Sequence, residues 1–423
     1  MERFISLFGY LVLILLAWAM STNRRLFPWR IVLAGTGLQF ALAVFTLRTR
    51  PGLVIFDWIG KFFDQMLKFT DAGSEFVFGK NYGDHFFAFK VLPTIIFFSC
   101  FMSVLYYLGI MQILVKAMAW VMQKTLGTSG AETLSAAANV FLGQTEAPLV
   151  IKPYLPGMTV SELNAVMIGG FANISGGVLA AFAGMGIDAG HLVTASVISA
   201  PASLLIAKII EPETGSPQTL GTVKLVVPPV GANVIEAAAI GTIDGLKLAL
   251  NVAAMLIAFM AFIALGDFCV QWVGDQVAFW TGWQWANSWS LTNALATAFA
   301  PLAWLLGIPW QDCGRAGELL GTKMFANEFV AYEQLSKWIK PDSGVELAER
   351  SKIILTYALC GFSNFASIGI QIGGLGGLAP ERQSDLARLG LRAMLGGTLA
   401  TLMTATIAGM LLCIQSSTFK VQC

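Results

Sequence analysis

Gly170-Phe171-Ala172-Asn173-Ile174-Ser175 and Gly361-Phe362-Ser363-Asn364-Phe365-Ala366 are two copies of one pattern, with Gly, Phe and Asn in register and the other positions small or apolar. Each copy sits midway along an apolar run, 160–186 and 351–378. An amide side chain there predicts a helix that stops and restarts inside the membrane, since unwound backbone at that depth is tolerated only where it lines a protein cavity. Upstream of each copy comes an interrupted stretch with a glutamate: Gln144-Thr145-Glu146 within 131–156, and Asn327-Glu328 within 314–336. Both stretches are apolar but too polar to cross, and they read as re-entrant hairpins. The order hairpin, broken helix, helix thus occurs twice. Three crossings separate the two hairpin starts (160–186, 190–210 and 246–266). That odd number inverts one unit relative to the other and predicts an inverted repeat with its site near the midplane.

The rest of the chain agrees with a membrane setting. Hydrophobic residues make up 56% and charged residues 12%, with a mean hydropathy of +0.70, too little polar surface to cover a water-soluble globule. The fold class is therefore an all-α integral membrane protein of the inner or plasma membrane, crossing it many times. Runs of about 20 apolar residues fall near 4–20, 31–47, 91–123, 160–186, 190–210, 246–266, 351–378 and 389–413, eight candidate transmembrane helices. The first lacks the Ala-x-Ala exit of a cleaved leader and is kept as a span. The third, at about 1.5 Å per residue, exceeds the bilayer core and must tilt or protrude. Segments 53–70, with Asp57, Lys61, Asp64 and Lys68 among Phe and Trp, and 270–288, with Trp272, Trp280, Trp283 and Trp285, read as interfacial helices. The stretch 289–307 is apolar enough to cross but is broken by Asn293, Thr297 and Pro301, and it would invert the later topology if it spans.

Several function classes drop out. A net charge of +1 offers no phosphate-neutralising patch for nucleic acid. Six scattered cysteines without a C-x-x-C pair support neither disulfide nor zinc chemistry. His85 and His191 stand beside aspartates in short polar connections and read as solvated loop residues.

What remains points to a buried polar site. Glu146 and Glu328 are carboxylates at membrane depth, costly unless partnered or facing water, and so candidates to bind a solute; a helix-tip cap or a salt bridge to Lys152 or Lys323 is the bland alternative. Asn139, Asn173 and Asn364 offer amide oxygens beside predicted breaks, suited to a hard cation or to plain helix-to-helix hydrogen bonds. Phe171 and Phe362 read as core or lipid-facing, and the Gly pairs at 169–170, 176–177 and 373–377 as packing surfaces.

Gly143-Gln144-Thr145-Glu146-Ala147-Pro148, Asn327-Glu328-Phe329-Val330-Ala331-Tyr332 and Cys360-Gly361-Phe362-Ser363-Asn364-Phe365, with Gly177-Val178-Leu179-Ala180 and the run Ala232 to Ile257, resemble the signature stretches of the concentrative nucleoside transporter family. The resemblance covers nearly the whole chain and implies a cation-coupled nucleoside symporter, a homotrimer in lipid, working as an elevator. It implies scaffold segments at 1–123 and 216–310 and transport segments at 124–215 and 311–423. It places Gln144, Thr145, Glu146 and Val178 against the nucleobase, Glu328, Asn364 and Ser367 on the ribose, and Phe362 against the bound nucleoside. It puts the coupling sodium on the side chains of Asn139 and Asn173 and the carbonyls of Leu142 and Ile174. Asn173 departs from relatives that carry a hydroxyl residue there, which keeps proton coupling open. Two rival readings are a secondary transporter of another polar solute, and an intramembrane enzyme with Glu146 and Glu328 as an acid/base pair but no nucleophile motif.

For orientation, the loop at 21–30 with Arg24, Arg25 and Arg30 and the loop at 380–392 with Arg382, Arg388 and Arg392 should be cytoplasmic, an even six crossings apart, with both termini outside. Arg48, Arg50, Lys337, Lys340, Arg350 and Lys352 oppose that bias. A cysteine introduced in 380–392 should react with an impermeant thiol reagent from the cytoplasmic face only; labelling of intact cells from outside would reverse the map.

Overall fold

The structure is a computed structural model that describes residues 2–220, 231–283, 289–340 and 343–412, and every regular element among them is a helix. In chain order these are α1 (Glu2–Ala19), α2 (Trp29–Arg48), α3 (Arg50–Phe78), α4 (Leu92–Tyr107), α5 (Ile110–Leu126) and α6 (Gly130–Ala138). Then come α7 (Val160–Ala172), α8 (Gly176–Gly184), α9 (Ala189–Ile210), α10 (Val234–Thr281) and α11 (Leu291–Leu305). The chain closes with α12 (Trp310–Phe325), α13 (Glu328–Trp338), α14 (Glu349–Leu359), α15 (Phe365–Leu378) and α16 (Gln383–Leu411). Seven helices among the described residues are long and apolar enough to span, or eight if the bent pair α11–α12 counts as one.

Residue size decides which spans are central. In the most apolar 18 residues of the α7–α8 span and of α9, built from Gly, Ala, Ser and Thr between larger apolar residues, 94% and 89% of residues are buried, whereas in those of α10 11% are, and α10 turns Leu, Ile and Phe outward. Small side chains let helix backbones approach closely, which is where van der Waals attraction operates when lipid is as apolar as the core. Around this centre α1 packs along α16, α2 along α9, and α4 along both α8 and α10.

Both hairpins and both broken helices form. The first hairpin pairs α6 with a 3₁₀ stretch, Ala147–Gly157, in which Pro148, Pro153 and Pro156 lack the N–H that an α-helix needs. The second pairs α12 with α13 across Ala326 and Asn327. The buried ends of the first hairpin are tied by charge: Lys208 Nζ lies 2.7 Å from Glu132 and 3.3 Å from Glu213, and Glu162 accepts from the Ser129 hydroxyl at 2.6 Å.

The breaks use side chains to satisfy the backbone that they free. At the first, Ser199 Oγ donates to the Ala172 carbonyl (2.7 Å) and Ser175 caps the start of α8. At the second, Lys323 Nζ donates to the Ala358 carbonyl (2.8 Å) and Asn364 caps α15 by accepting from Ser367 N (2.9 Å). A cation at a helix C-terminus also complements its dipole. The two breaks touch: Phe362 N donates to the Asn173 carbonyl (3.3 Å), and a Cβ on Gly361 would fall 2.8 Å from the Phe171 carbonyl oxygen.

Three readings from the sequence are revised, and the shape of a stretch left open, 289–307, is filled in. The long run 91–123 is two helices, broken at Gly109, whose φ of +79° suits glycine. The segment 270–288 is no separate interfacial helix up to Thr281, because α10 continues through it for 48 residues, roughly 72 Å at 1.5 Å each; Trp285 lies outside the described residues. The stretch 289–307 supplies α11, which meets α12 at a bend of 117°, so it joins the second hairpin in one bent unit. His191 is not a solvated loop residue: it opens α9 half-buried, its Nδ1 3.2 Å from the Tyr357 hydroxyl and its ring edge-on to Phe56.

The close approach of α16 to α7 gives a test. A Cβ on Gly397 would lie 2.3 Å from Phe171 Cβ, while Gly377 has open space around it. Gly397→Ala should therefore destabilise the protein by about 1–3 kcal/mol, seen as a lower melting temperature, while Gly377→Ala leaves it unchanged. Equal melting of the two variants would mean that the crossing is looser than described.

Candidate functional site between two hairpins and two broken helices

The site begins with a row of polar side chains that runs from one hairpin to the other. Gln144, in the turn of the first hairpin, donates from Nε2 to Ser367 Oγ on α15 (3.2 Å) and accepts at Oε1 from Gln371 Nε2 (3.1 Å). Gln371 also donates to the Met167 carbonyl of α7 (3.1 Å). Ser367 N donates to Asn364 Oδ1, and Asn364 Nδ2 donates to Glu328 Oε2 at the start of α13 (2.9 Å). All five side chains are buried. Glu328 occupies the first turn of its helix, where the N-terminal dipole favours a carboxylate. The ion pairs of the described residues include neither Glu328 nor Glu146, and Lys323 is engaged with Ala358 and Thr401 (3.3 Å), so the salt-bridge alternative has no geometry behind it.

Glu146 turns elsewhere. One carboxylate oxygen accepts from Gly143 N (3.2 Å) within the turn, and the side chain opens into a cavity of about 430 Å³ shared with Ser99, Tyr106, Ser175 and Asp244. It is accessible, not enclosed, and the Tyr106 hydroxyl in the same wall is buried without a partner. Thr145 packs toward Gly374, whose Cβ would fall 2.7 Å from Thr145 Cγ2. Val178 is buried one turn into α8, and Phe362 is half-buried at the second break. The structure thus brings together Gln144, Ser367, Asn364 and Glu328, and sets Glu146 on a separate wall.

A second cluster lies beside the first break. Asn139 caps the end of α6 and Asn173 the end of α7. Asn139 Nδ2 donates to the Ser135 carbonyl (3.1 Å) and Asn173 Nδ2 to the Gly169 carbonyl (3.3 Å). Both Oδ1 atoms are buried and have no hydrogen-bond partner. Donors are tied back and acceptors left bare, the arrangement a hard cation needs. Gly169 permits it, since a Cβ there would be 3.2 Å from Asn139 Nδ2. Ile174, the next residue, is buried, and Leu142 lies in the turn of the same hairpin. The two bare amide oxygens are hard-ligand atoms of the kind a monovalent cation takes.

Gln371 went unnoticed in the sequence, although Asn364, Ser367 and Gln371 are spaced i, i+3, i+7 and so share one helix face. Gly170 carries a related signal: its missing Cβ leaves room for Gln371 Nε2 (2.7 Å) and Gln144 Cβ (3.0 Å). Tyr106 and Asp244 had no signal beyond composition.

The same regions match known proteins. Profiles described as the C-terminus and N-terminus of Na+ dependent nucleoside transporters match residues 191–409 and 8–81, and one described as nucleoside recognition, Gate, matches 88–189. The chain belongs to the concentrative nucleoside transporter family. Among its relatives, solute carrier family 28 member 3 of Rattus norvegicus is 45% identical over 97% of this chain, and sodium/nucleoside cotransporter 1 of the same species is 44% identical over 97%. The chain spans 59% and 64% of those two proteins' lengths. Family structures align throughout: CNTnw in an inward-facing substrate-bound state (41% identity, TM-score 0.89, covering 96% of this chain and 98% of that one), and a doubly substituted CNTnw in an outward-facing state (41%, TM-score 0.91, covering 97% and 99%).

The bare amide oxygens predict a thermal signature. Sodium at one hundred times its Kd should stabilise the folded protein by about 2.7 kcal/mol, raising the melting temperature relative to choline. Asn139→Leu should abolish the rise. A sodium effect that survives this substitution would move the ion elsewhere.

Proposed function

We propose that this chain is a secondary active symporter that carries nucleosides across the membrane, coupled to sodium, and that it performs no covalent chemistry on its solute. The observation that carries the reading is the buried polar row from Gln144 through Ser367 and Asn364 to Glu328, which joins both hairpins. Glu328 supplies acceptors for ribose hydroxyls, and Asn364 and Ser367 both give and accept hydrogen bonds. Gln144 takes the base, whose edge carries N–H donors and carbonyl acceptors, with Thr145 and Val178 beside it; Glu146, which opens into the neighbouring cavity, would reach the base from that side through water. Phe362 packs beside the sugar and base. Sodium sits on Asn139 and Asn173 with the carbonyls of Leu142 and Ile174, supported by the two unpartnered amide oxygens.

The mechanism that fits is elevator-type alternating access by an inverted repeat, with 124–215 and 311–423 moving together. The hydrogen bonds between those two segments support their moving as one body. The long α10, packed on α4, supports a stationary element beside them. Assembly as a homotrimer follows the family resemblance, and the outward apolar face of α10 supplies contact surface for it.

In proteoliposomes, uridine and adenosine uptake should follow an inward sodium gradient, and Glu328→Gln should weaken nucleoside binding about tenfold or more, since hydrogen bonds to a charged group contribute about 1.5–3 kcal/mol. Uptake driven by protons alone would remove the sodium half of the reading. A folded Glu328→Gln protein with wild-type affinity would remove the ribose assignment.

A further inference from the structure

Two groups of arginines far apart in sequence meet at one place in the fold: Arg24 in the 21–30 loop, and Arg388 and Arg392, which stand not in a loop but on the first turns of α16. A cavity of about 700 Å³ opens between the end of α1 and the start of α16, lined by Arg24, Arg388 and Arg392 with one carboxylate, Glu211. That leaves two net positive charges at one opening in a chain whose whole net charge is +1. The remaining wall mixes Ser21 and Thr22 with Ala19, Met20, Leu389 and Leu395, and an exposed Leu391 stands at its rim.

The three guanidinium groups are held differently. Arg24 donates to the Ala19 carbonyl (2.7 Å) and lies over the Trp18 ring, which fixes it at the end of α1. The outward face of that helix, Leu7, Leu11, Leu15 and Leu16, is exposed and apolar, as a lipid-facing span requires. Arg392 is 3.5 Å from Glu211. Arg388 is exposed and has no ion pair or hydrogen bond among the described residues. Planar guanidinium groups suit phosphate oxygens, and basic pockets between helices at the cytoplasmic boundary suit anionic headgroups.

We propose that this cavity binds the headgroup of an anionic phospholipid, with Arg388 and Arg392 on the phosphate and the acyl chains along Leu391 and the leucines of α1. A free phosphate would meet the same charges, but it would leave the apolar rim unused, which decides for the lipid. The site is separate from the buried polar row and does not depend on what is transported.

The test uses the purified full chain in detergent, with native mass spectrometry and thermal melting against phosphatidylglycerol, phosphatidylcholine and inorganic phosphate. Phosphatidylglycerol should be retained and should raise the melting temperature where phosphatidylcholine does not. The Arg388→Gln/Arg392→Gln double variant should retain about tenfold less of it or lower still, and the Arg388→Lys/Arg392→Lys variant should keep part of the binding. Both arginines are at the surface, and an unchanged gel-filtration profile and lipid-free melting temperature of the double variant identify the loss as local. Equal retention of the two lipids, undiminished retention by the double variant, or displacement of phosphatidylglycerol by millimolar phosphate would each overturn the proposal.

Discussion

Unwound backbone in the middle of the membrane is the constraint on which the rest of the structure depends. Two helices stop and restart there, and each break exposes carbonyls on one side and N–H groups on the other that no lipid can satisfy. The fold answers from both directions: Ser199 and Lys323 donate to the carbonyl ends, and Ser175 and Asn364 accept at the restarting ends. Phe362 N closes on the Asn173 carbonyl, so the two breaks also satisfy each other. Contact this close requires Gly361 and Gly397 where backbone meets backbone, and that requirement fixes the centre of the molecule. A site of polar groups is then a by-product of keeping the backbone hydrogen-bonded.

Coupling follows from where the two clusters sit on the same hairpin. Asn139 ends α6, and Gln144 stands five residues later in the turn, so whatever orders Asn139 also restricts Gln144. An ion on the amide oxygens of Asn139 and Asn173 would hold the hairpin turn against α7. A solute at Gln144 would then meet a site already arranged, and by linkage the solute would strengthen ion binding by the same factor. The second hairpin joins this dependence only at its end, since Glu328 is set first by its own helix start and by Asn364 and reaches Gln144 through Ser367.

Much of this was legible before any coordinates. The duplicated Gly-Phe-x-Asn pattern located both breaks, and the glutamate-bearing stretches located both hairpins, because polar groups at membrane depth have few permitted structures. Three kinds of detail were not. The break at Gly109 was hidden because a glycine in an apolar run reads equally as packing or as a left-handed turn. The continuation of α10 past the bilayer was hidden because tryptophans mark the interface whether or not the helix stops there. The partner of His191 was hidden because Tyr357 is 166 residues away. Gln371 has a signal in its i+7 spacing to Asn364, but one amide in an apolar run reads equally as a helix-to-helix hydrogen bond.

The two hairpins are unequal in a way that bears on which of them yields. In the second, α12 and α13 are regular helices separated by two residues, each with its own internal hydrogen bonds. In the first, the returning arm is a 3₁₀ stretch with prolines at three of eleven positions, so fewer backbone bonds resist its displacement. Its opening end is nevertheless held by the buried Lys208–Glu132 pair and by Glu162 on Ser129, and its closing end by Arg382, which donates to the Pro156 and Met158 carbonyls, leaving the turn at 139–147 between two held ends. Local opening draws on segments with few exclusive contacts, and this turn is one whose neighbours are the ion cluster on one side and the accessible Glu146 cavity on the other. On the proposed sodium and nucleoside sites, firm ends, a weakly bonded arm and ligands at the tip would make the first hairpin the element whose order the ion controls, with the second as the fixed wall.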